Sequence, residues 1–163
     1  MNVLPPVRVR REYTHSLVAP PDDVFPMLCP VREVEWESDW DPYAVHSVTG
    51  VAEPDCVFVT RDDGVESTWV MTVHDPENHR VEIIKFTPGV TTAKLEFDVE
   101  SDGDGRSRMH VAYTLTALSQ DGRKAVDDFD EDNWNEFMTK MERELNHYLG
   151  MGESPDAGGH RYE

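Results

Sequence analysis

The amino-acid sequence predicts an α+β fold in which a curved antiparallel sheet of seven strands encloses a long C-terminal helix, with two short helices after the first strand. Apolar and polar residues alternate along seven segments, which is typical of strands buried on one face. Turn-forming residues join the last six segments by short connections, so neighbouring strands are expected to be antiparallel. A long apolar stripe with the helical period closes the pattern.

The first predicted element is a strand at Val7–Val18, where valine, tyrosine and leucine side chains share one face and arginines the other. A proline-rich break follows, and Asp22 or Asp23 is expected to cap a short helix of about two turns at most. A second short helical or irregular piece is expected at 31–40. It carries two tryptophans four residues apart, a spacing that would place both on one helical face.

Six more strands are predicted between turn sequences. In the later strands the faces are clear, because Leu95, Phe97 and Val99 oppose a row of charged side chains. One face of the sheet is therefore expected to contact water, and the other must be covered. The six segments are Ala44–Val51, Cys56–Arg61, Val65–His74, Arg80–Thr87, Thr91–Ser101 and Arg106–Ser119.

The cover is predicted to be a helix that begins near Asp130 and ends at Gly150 or Gly152. About 20 residues at ~1.5 Å each span roughly 30 Å, enough to cross a whole sheet. Residues 1–152 are expected to form one domain, and 153–163 a flexible C-terminal tail. The apolar stripe of the helix consists of Trp134, Phe137, Met138, Met141, Leu145, Tyr148 and Leu149.

A gap is expected between the sheet and this helix, because a strongly bent sheet cannot contact a straight helix along its full length. Large side chains could fill the gap as a solid core, or a hydrophobic small molecule could occupy it. The inward-facing candidates are rich in aromatic rings and thioethers, which adapt well to apolar ligands. The expected ligand-binding residues are Trp36, Trp40, Phe58, Trp69, Met71, Phe97, Tyr113, Trp134, Phe137, Met138 and Met141.

Several segments resemble the START/Bet v 1-like superfamily, also called SRPBCC or polyketide cyclase-like. The segment VAPPDDVF at 18–25 is similar to its strand-to-helix connection, and YTLTAL at 113–118 is similar to its last strand before the closing helix. The segments CPVREVEW at 29–36 and DCVFVT at 55–60 resemble a bacterial branch of it. The resemblance covers Val7–Gly152 and implies the helix-grip fold, with a hydrophobic ligand or substrate in a cavity.

Four residues are candidates for acid–base catalysis. Glu33 and Glu35 lie where the short helices would close one end of the cavity, and apolar surroundings raise the pKa of a carboxyl group. His46 lies on a strand face that is expected to point inward, and Tyr113 belongs to the apolar face of the last strand. The alternatives are a solvated or Arg32-paired carboxylate and an ordinary core or surface histidine.

Composition excludes several classes of partner. The formal net charge is -18, which opposes binding to nucleic acids and to anionic membrane surfaces. No apolar stretch approaches the ~20 residues of a membrane span, so membrane insertion is not expected. The N-terminus lacks the charged and apolar regions of a signal peptide, which makes a cytoplasmic location the expectation.

No cofactor and no metal are expected. The seven histidines form no spaced metal-binding motif, and His74 and His79 flank a turn without an evident third ligand. Cys29 and Cys56 are expected to be buried thiols, since neither belongs to a CxxC motif.

The sequence therefore predicts binding or transport of a hydrophobic small molecule, either a lipid or an aromatic, polyketide-like compound. A cyclase- or hydrolase-like enzyme that uses acid–base residues of the same cavity is the alternative. The oligomeric state is left open.

Overall fold

Seven strands form one antiparallel sheet in the computed structural model, which describes residues 1–151. They are β1 (Arg8–Leu17), β2 (Ala44–His46), β3 (Val57–Asp62), β4 (Val65–Asp75), β5 (Arg80–Thr87), β6 (Thr91–Gly103) and β7 (Arg106–Ala117). The sheet order is β1-β7-β6-β5-β4-β3-β2, so the first and last strands of the chain are neighbours. This arrangement confirms the predicted helix-grip class.

The helices are α1 (Pro21–Val24), α2 (Gln120–Asp128) and α3 (Glu131–Met151), with single 3₁₀ turns at Phe25–Met27 and Glu33–Glu35. Helix α3 is the predicted long C-terminal helix. It continues through Gly150, so the prediction that this glycine ends the helix is wrong, and Gly152 and the predicted tail at 153–163 lie outside the described residues. None of the helices in residues 1–151 is long and apolar enough to span a membrane.

The strand predicted at Ala44–Val51 ends at His46, because side chains satisfy the next backbone groups locally. The hydroxyl of Ser47 donates to the carbonyl of Val51 at 2.6 Å, and the carboxylate of Glu53 accepts two backbone N–H groups of the same turn at 2.6 and 3.1 Å. A turn closed in this way leaves no backbone donors for a longer strand ladder.

Helix α1 begins at Pro21, with Pro20 as its N-cap and no capping side chain. The prediction that Asp22 or Asp23 caps this helix is therefore wrong. Proline suits the first helical position, since its missing N–H would have no partner there, and both aspartates lie in the first turn. Asp22 instead accepts a hydrogen bond from the imidazole of His79 at 2.7 Å.

Helix α2 was not predicted, although Ser119 gives a capping signal by accepting a hydrogen bond from the N–H of Gly122 at 3.2 Å. Its nine residues include few large apolar side chains, so no apolar stripe marks it. Gly122 allows the helix to approach the β5–β6 turn closely. A Cβ atom at this position would lie 2.0 Å from the carbonyl oxygen of Val90.

Two features create space between the sheet and α3. Register shifts interrupt β4 at Met71/Val73 and the β6–β7 pair at Ser101/Gly103, and bulges of this kind bend a sheet. The helix is held at the β1 side of the sheet, where Asn146 accepts from the N–H of Val18 and donates to the carbonyl of Ser16, both at 2.9 Å. The sheet therefore curves away from a helix that is fixed at one edge.

Candidate functional site

A cavity of about 310 Å³ lies between the inner face of the sheet and α3. Its volume is near the lower end of the ~300–1,000 Å³ that small-molecule sites occupy. Most of the lining is apolar. The lining residues are Glu33, Glu37, Trp40, Phe58, Trp69, Ile83, Lys85, Thr91, Ala93, Leu95, Phe97, Tyr113, Leu115, Phe129, Phe137 and Met141.

Trp40, Phe58 and Trp69 form one wall of the cavity. Their ring centroids are 5.4–5.8 Å apart, and Phe58 stacks on Trp69. Both indole N–H groups are bonded to protein oxygens, that of Trp40 to the carbonyl of Pro30 at 2.8 Å and that of Trp69 to the hydroxyl of Thr60 at 2.9 Å. With their polar edges satisfied, these rings present carbon surface to a ligand.

Tyr113 lies at the centre of a second aromatic group. Its ring centroid is 4.9 Å from that of Trp134 and 6.2–6.4 Å from those of Phe97, Phe129 and Phe137. These rings come from the inner strands β6 and β7, the segment between α2 and α3, and α3 itself. Phe137 is 37% exposed, so this aromatic group reaches from the interior to the surface.

Two carboxyl groups point into the cavity. They are those of Glu33, in the 3₁₀ turn at Glu33–Glu35, and of Glu37, two residues after it. The N–H of Glu37 donates to the carbonyl of Glu33 at 2.8 Å, a helical i,i+4 bond that brings the two side chains to the same side of the segment. Burial raises the pKa of Glu33 well above its usual value, and the charge of Glu37 raises it further. Among the described residues, no hydrogen-bond donor contacts the Glu33 carboxyl group. These surroundings therefore favour the protonated, neutral form of the carboxyl group.

Burial also raises the pKa of Glu37, to about 7. The ammonium of Lys140 on α3 opposes this shift, whereas the carboxylates of Glu144 and Asp39 add to it. Lys140 is held by Glu144 at 3.0 Å and by Asp39 at 3.1 Å. Glu37 is therefore close to half ionised at neutral pH, which suits both proton donation and proton acceptance.

Tyr113 has the third acid–base group of the cavity. Burial raises the pKa of its phenol, and the neighbouring charges of Glu33 and Glu37 raise it further. The hydroxyl is therefore neutral, and within residues 1–151 no hydrogen-bond partner contacts it. It is available to donate a hydrogen bond to a ligand oxygen.

Lys85 was not among the predicted site residues, although strand alternation carries the signal. It shares a face of β5 with Val81, Ile83 and Thr87, all three of which are buried. Its ammonium lies 4.5 Å from the centroid of the Trp69 ring, and burial lowers its pKa. Charged side chains are usually solvated, so the residue type gave no indication that Lys85 lines an apolar cavity.

Eight predicted residues line the cavity, and their roles in ligand binding or catalysis stay predictions. They are Glu33, Trp40, Phe58, Trp69, Phe97, Tyr113, Phe137 and Met141. Four predicted binding residues do not line it, because they are packed into the core: Trp36, Met71, Trp134 and Met138, each at most 2% exposed. The indole N–H groups of Trp36 and Trp134 donate to backbone carbonyls at 3.1 and 3.0 Å, which fixes both rings in the core.

Two catalytic candidates lie outside the cavity. The carboxylate of Glu35 pairs with the guanidinium of Arg32 and accepts a hydrogen bond from the hydroxyl of Tyr148 at 3.3 Å. His46 is exposed, so the expectation that it points inward is wrong. Its neighbour Val45 pairs with the inward-facing Phe58, and residues directly opposite one another share a face of the sheet.

The structure adds lining residues that sequence reasoning missed, namely Glu37, Ile83, Lys85, Thr91, Ala93, Leu95, Leu115 and Phe129. Most are inward residues of β5, β6 and β7, and the alternation already identified those strands. Glu37 is different, because it faces the cavity only through the 3₁₀ turn that precedes it.

The remaining histidine and cysteine candidates form no second site. His74 and His79 both pack on Phe25, with ring centroids 5.2 and 5.7 Å apart from it. Cys29 and Cys56 are buried free thiols. Within residues 1–151, no three histidine, cysteine or acidic side chains are grouped closely enough to hold a metal ion.

A family model described as polyketide cyclase/dehydrase and lipid transport matches residues 8–148. No curated protein sequence matches the chain.

Solved structures with the same fold have low sequence identity. Norcoclaurine synthase from Thalictrum flavum, in complex with dopamine and hydroxybenzaldehyde, aligns with a TM-score of 0.68 at 10% identity, over 91% of this chain and 90% of that chain. The Zhui aromatase/cyclase from a Streptomyces species aligns with a TM-score of 0.58 at 13% identity, over 87% of this chain and 96% of that chain. At these identities the likeness establishes the fold.

Proposed function

The chain belongs to the polyketide cyclase/dehydrase and lipid transport family, and from this premise we propose that it binds a compact, largely apolar small molecule in the cavity. The observation that carries the proposal is an aromatic-lined space of about 310 Å³ between sheet and helix. A solid core would have closed this space, since protein interiors pack at crystal-like density.

The dimensions of the site favour a small ring system over a long acyl chain. A volume near the lower limit of ligand sites holds a ligand of limited length. Stacked and edge-on rings at Trp40, Phe58 and Trp69 favour a planar aromatic partner, because such contacts add to the burial of apolar area. The proposed ligand is therefore an aromatic or polyketide-like molecule of two or three fused rings.

Filling the cavity tests this proposal. Ala93 lines the cavity on β6, and Ala93→Phe should occupy part of the space with its ring. Prodan, a neutral naphthalene fluorophore, shifts its emission to the blue in apolar surroundings. We expect wild-type protein to bind prodan with a micromolar dissociation constant, and Ala93→Phe to weaken this binding at least tenfold.

Thr92→Phe is the matched control. Thr92 precedes Ala93 on the same strand, and its side chain points to the outer face of the sheet. The variant should leave prodan binding unchanged. Denaturant unfolding of both variants separates a blocked cavity from a lost fold. Wild-type protein that neither shifts prodan emission nor releases any retained small molecule in native mass spectrometry would contradict the proposal.

A second function is favoured by one observation, the pair of buried carboxyl groups that line the same cavity. Burial raises the pKa of Glu33 well above its usual value and raises that of Glu37 to about 7. Two carboxyl groups whose environments separate their pKa values can act as acid and base in one reaction. The proposed enzyme abstracts a proton next to a ligand carbonyl, as an aldol-type cyclisation requires.

In this step the ionised carboxylate of Glu37 removes a proton from the carbon beside the carbonyl. The electron pair of the broken C–H bond forms the C=C bond of an enol, and Glu33 donates its proton to the carbonyl oxygen. Tyr113 can donate a hydrogen bond to the same oxygen. Charge is conserved, because the proton that Glu33 loses is matched by the proton that Glu37 gains.

Deuterium exchange into beta-tetralone, a bicyclic ketone, tests this second function by NMR in heavy water. We expect wild-type protein to accelerate exchange at the carbon between ring and carbonyl. Glu37→Gln should abolish the acceleration but still bind prodan. Glu35 lies outside the cavity, so Glu35→Gln should still accelerate exchange. If exchange with wild-type protein is no faster than in buffer, the proposed enzymatic function is contradicted, and the proposed binding function stands.

A further inference from the structure

We propose that Lys85 binds the anionic group of the ligand, so that the preferred ligand is a compact aromatic acid. This inference rests on the proposed binding function and specifies the chemical class of the ligand. It starts from a cation in the wall of an apolar cavity that, among residues 1–151, forms no ion pair with a carboxylate.

The position of Lys85 in the sheet makes its side chain part of the cavity wall. On β5 it is paired with Trp69 of β4 and with Ala93 of β6, and both of these neighbours line the cavity. Residues directly opposite one another share a face, so the three side chains project to the same side of the sheet. Lys85 is only partly accessible, unlike the exposed lysine at 124.

The lack of a partner is unusual in this chain, in which 33 acidic residues outnumber 15 lysines and arginines. The cations nearest the cavity carboxyl groups have partners, since Arg32 pairs with Glu35 and Lys140 with Glu144 and Asp39. Within residues 1–151, no carboxylate lies within ion-pair distance of the Lys85 ammonium, and the charge of Asp62 acts on it only from a greater distance. A partly buried cation that is left without a carboxylate can be neutralised by a ligand.

The cavity carboxyl groups do not serve as that partner. Glu33 and Glu37 gain their raised pKa values from burial and from neighbours other than Lys85. Glu33 and Ile83 line both the cavity and a second, smaller pocket that does not include Lys85. Lys85 is two residues further along β5, which is roughly 6.6 Å along a strand. Among residues 1–151, the Lys85 ammonium and the two glutamates therefore line one cavity without forming an ion pair.

The apolar wall beside Lys85 sets the shape of the ligand. The ammonium of Lys85 lies over the ring of Trp69, which stacks in turn on Phe58. An aromatic ring placed against this wall would carry its carboxylate, or the oxygen of an acidic phenol or enol, to Lys85. The site around this lysine is poorly solvated, so the ammonium and an approaching anion attract each other more strongly than they would in water.

A pair of probes that differ only in charge tests the inference. Naphthalene carboxylate and naphthalene carboxamide, substituted at the same ring position, have nearly the same shape. By calorimetry we expect wild-type protein to bind the carboxylate about tenfold more tightly than the amide, as a charge-assisted hydrogen bond allows. Lys85→Met should reduce this preference to less than twofold, and Lys85→Arg should retain it.

Lys94→Met is the matched control, because it removes the same charge from the outer face of the neighbouring strand. It should preserve the preference for the carboxylate. Equal binding of both probes to wild-type protein would overturn this inference and leave the proposed function intact. If neither probe binds, the proposed function fails as well, and the inference with it. The wild-type comparison is decisive even where Lys85→Met does not fold.

Discussion

His15 gives the protein a built-in sensitivity to acid, and replacing it with phenylalanine should remove that sensitivity. The imidazole is fully buried on β1, and neither ring nitrogen has a hydrogen-bond partner among the described residues. Burial lowers its pKa from 6.5 to about 4. The carboxylate of Glu142 is 4.0 Å from Nδ1, but it already accepts the N–H of Ser16 at 2.8 Å, and burial dominates.

The sign of the effect follows from proton uptake. In the unfolded chain an imidazole takes up a proton below pH ~6.5, whereas in the folded protein His15 stays neutral until about pH 4. The unfolded state therefore gains stability as the pH falls through this window. A difference of about 2.5 pKa units corresponds to about 3 kcal/mol in total, of which roughly 2 kcal/mol falls between pH 7 and pH 5.

Urea unfolding at pH 7 and pH 5, followed by tryptophan fluorescence, measures the effect. We expect the wild-type protein to lose roughly 2 kcal/mol more than His15→Phe between the two pH values, since all other titrating groups cancel in the comparison. His46→Phe is the matched control, because this histidine is exposed. Parallel losses in wild type and His15→Phe would refute the argument that burial keeps His15 neutral.

Four further expectations concern packing and the cavity. Gly122→Ala should lower the free energy of unfolding by about 2–3 kcal/mol, because its Cβ would clash with a backbone carbonyl. Gly150→Ala should instead raise the free energy of unfolding by up to about 1 kcal/mol, because no atom lies near the added Cβ and alanine favours the helix. Asn146→Ala should cost about 1–2 kcal/mol and speed amide exchange at the end of β1; unchanged exchange would contradict the helix anchor. Lys140→Met should raise the pKa of Glu37 above its value of about 7, since a nearby cation is lost. Carbon-detected NMR titration measures this shift, and a lower or unchanged pKa would be inconsistent with the α3 network.

Strand positions could be predicted well, because alternation is a local property of the chain. The predicted bounds of β5 match the structure, and those of β3, β4, β6 and β7 differ by one or two residues at their ends. The prediction was wrong after β2. There, hydrogen bonds made by the side chains of Ser47 and Glu53 close a turn and take the place of the backbone hydrogen bonds of a longer strand. The prediction also failed at α2, which has no apolar stripe and depends on Ser119 and on the close approach at Gly122.

The sequence predicted that the site is lined mainly by aromatic and apolar side chains, but it identified only some of the lining residues. Trp36 and Trp40 have the same type and lie four positions apart, yet the first is fully buried and the second lines the cavity. Glu33 and Glu35 are two positions apart, and only the first reaches the cavity. In both cases the segment is irregular apart from one 3₁₀ turn, so neither helical nor strand periodicity assigns its faces.

By itself, the sequence determined the architecture, an apolar inner sheet face covered by an amphipathic helix, because face and period are fixed by neighbours along the chain. Only the tertiary structure decided that space is left between the two, which aromatic residues border it, and that Lys85 enters it without a carboxylate. These properties depend on how far the sheet bends from a helix held at β1. That distance is set by contacts between residues more than 100 positions apart.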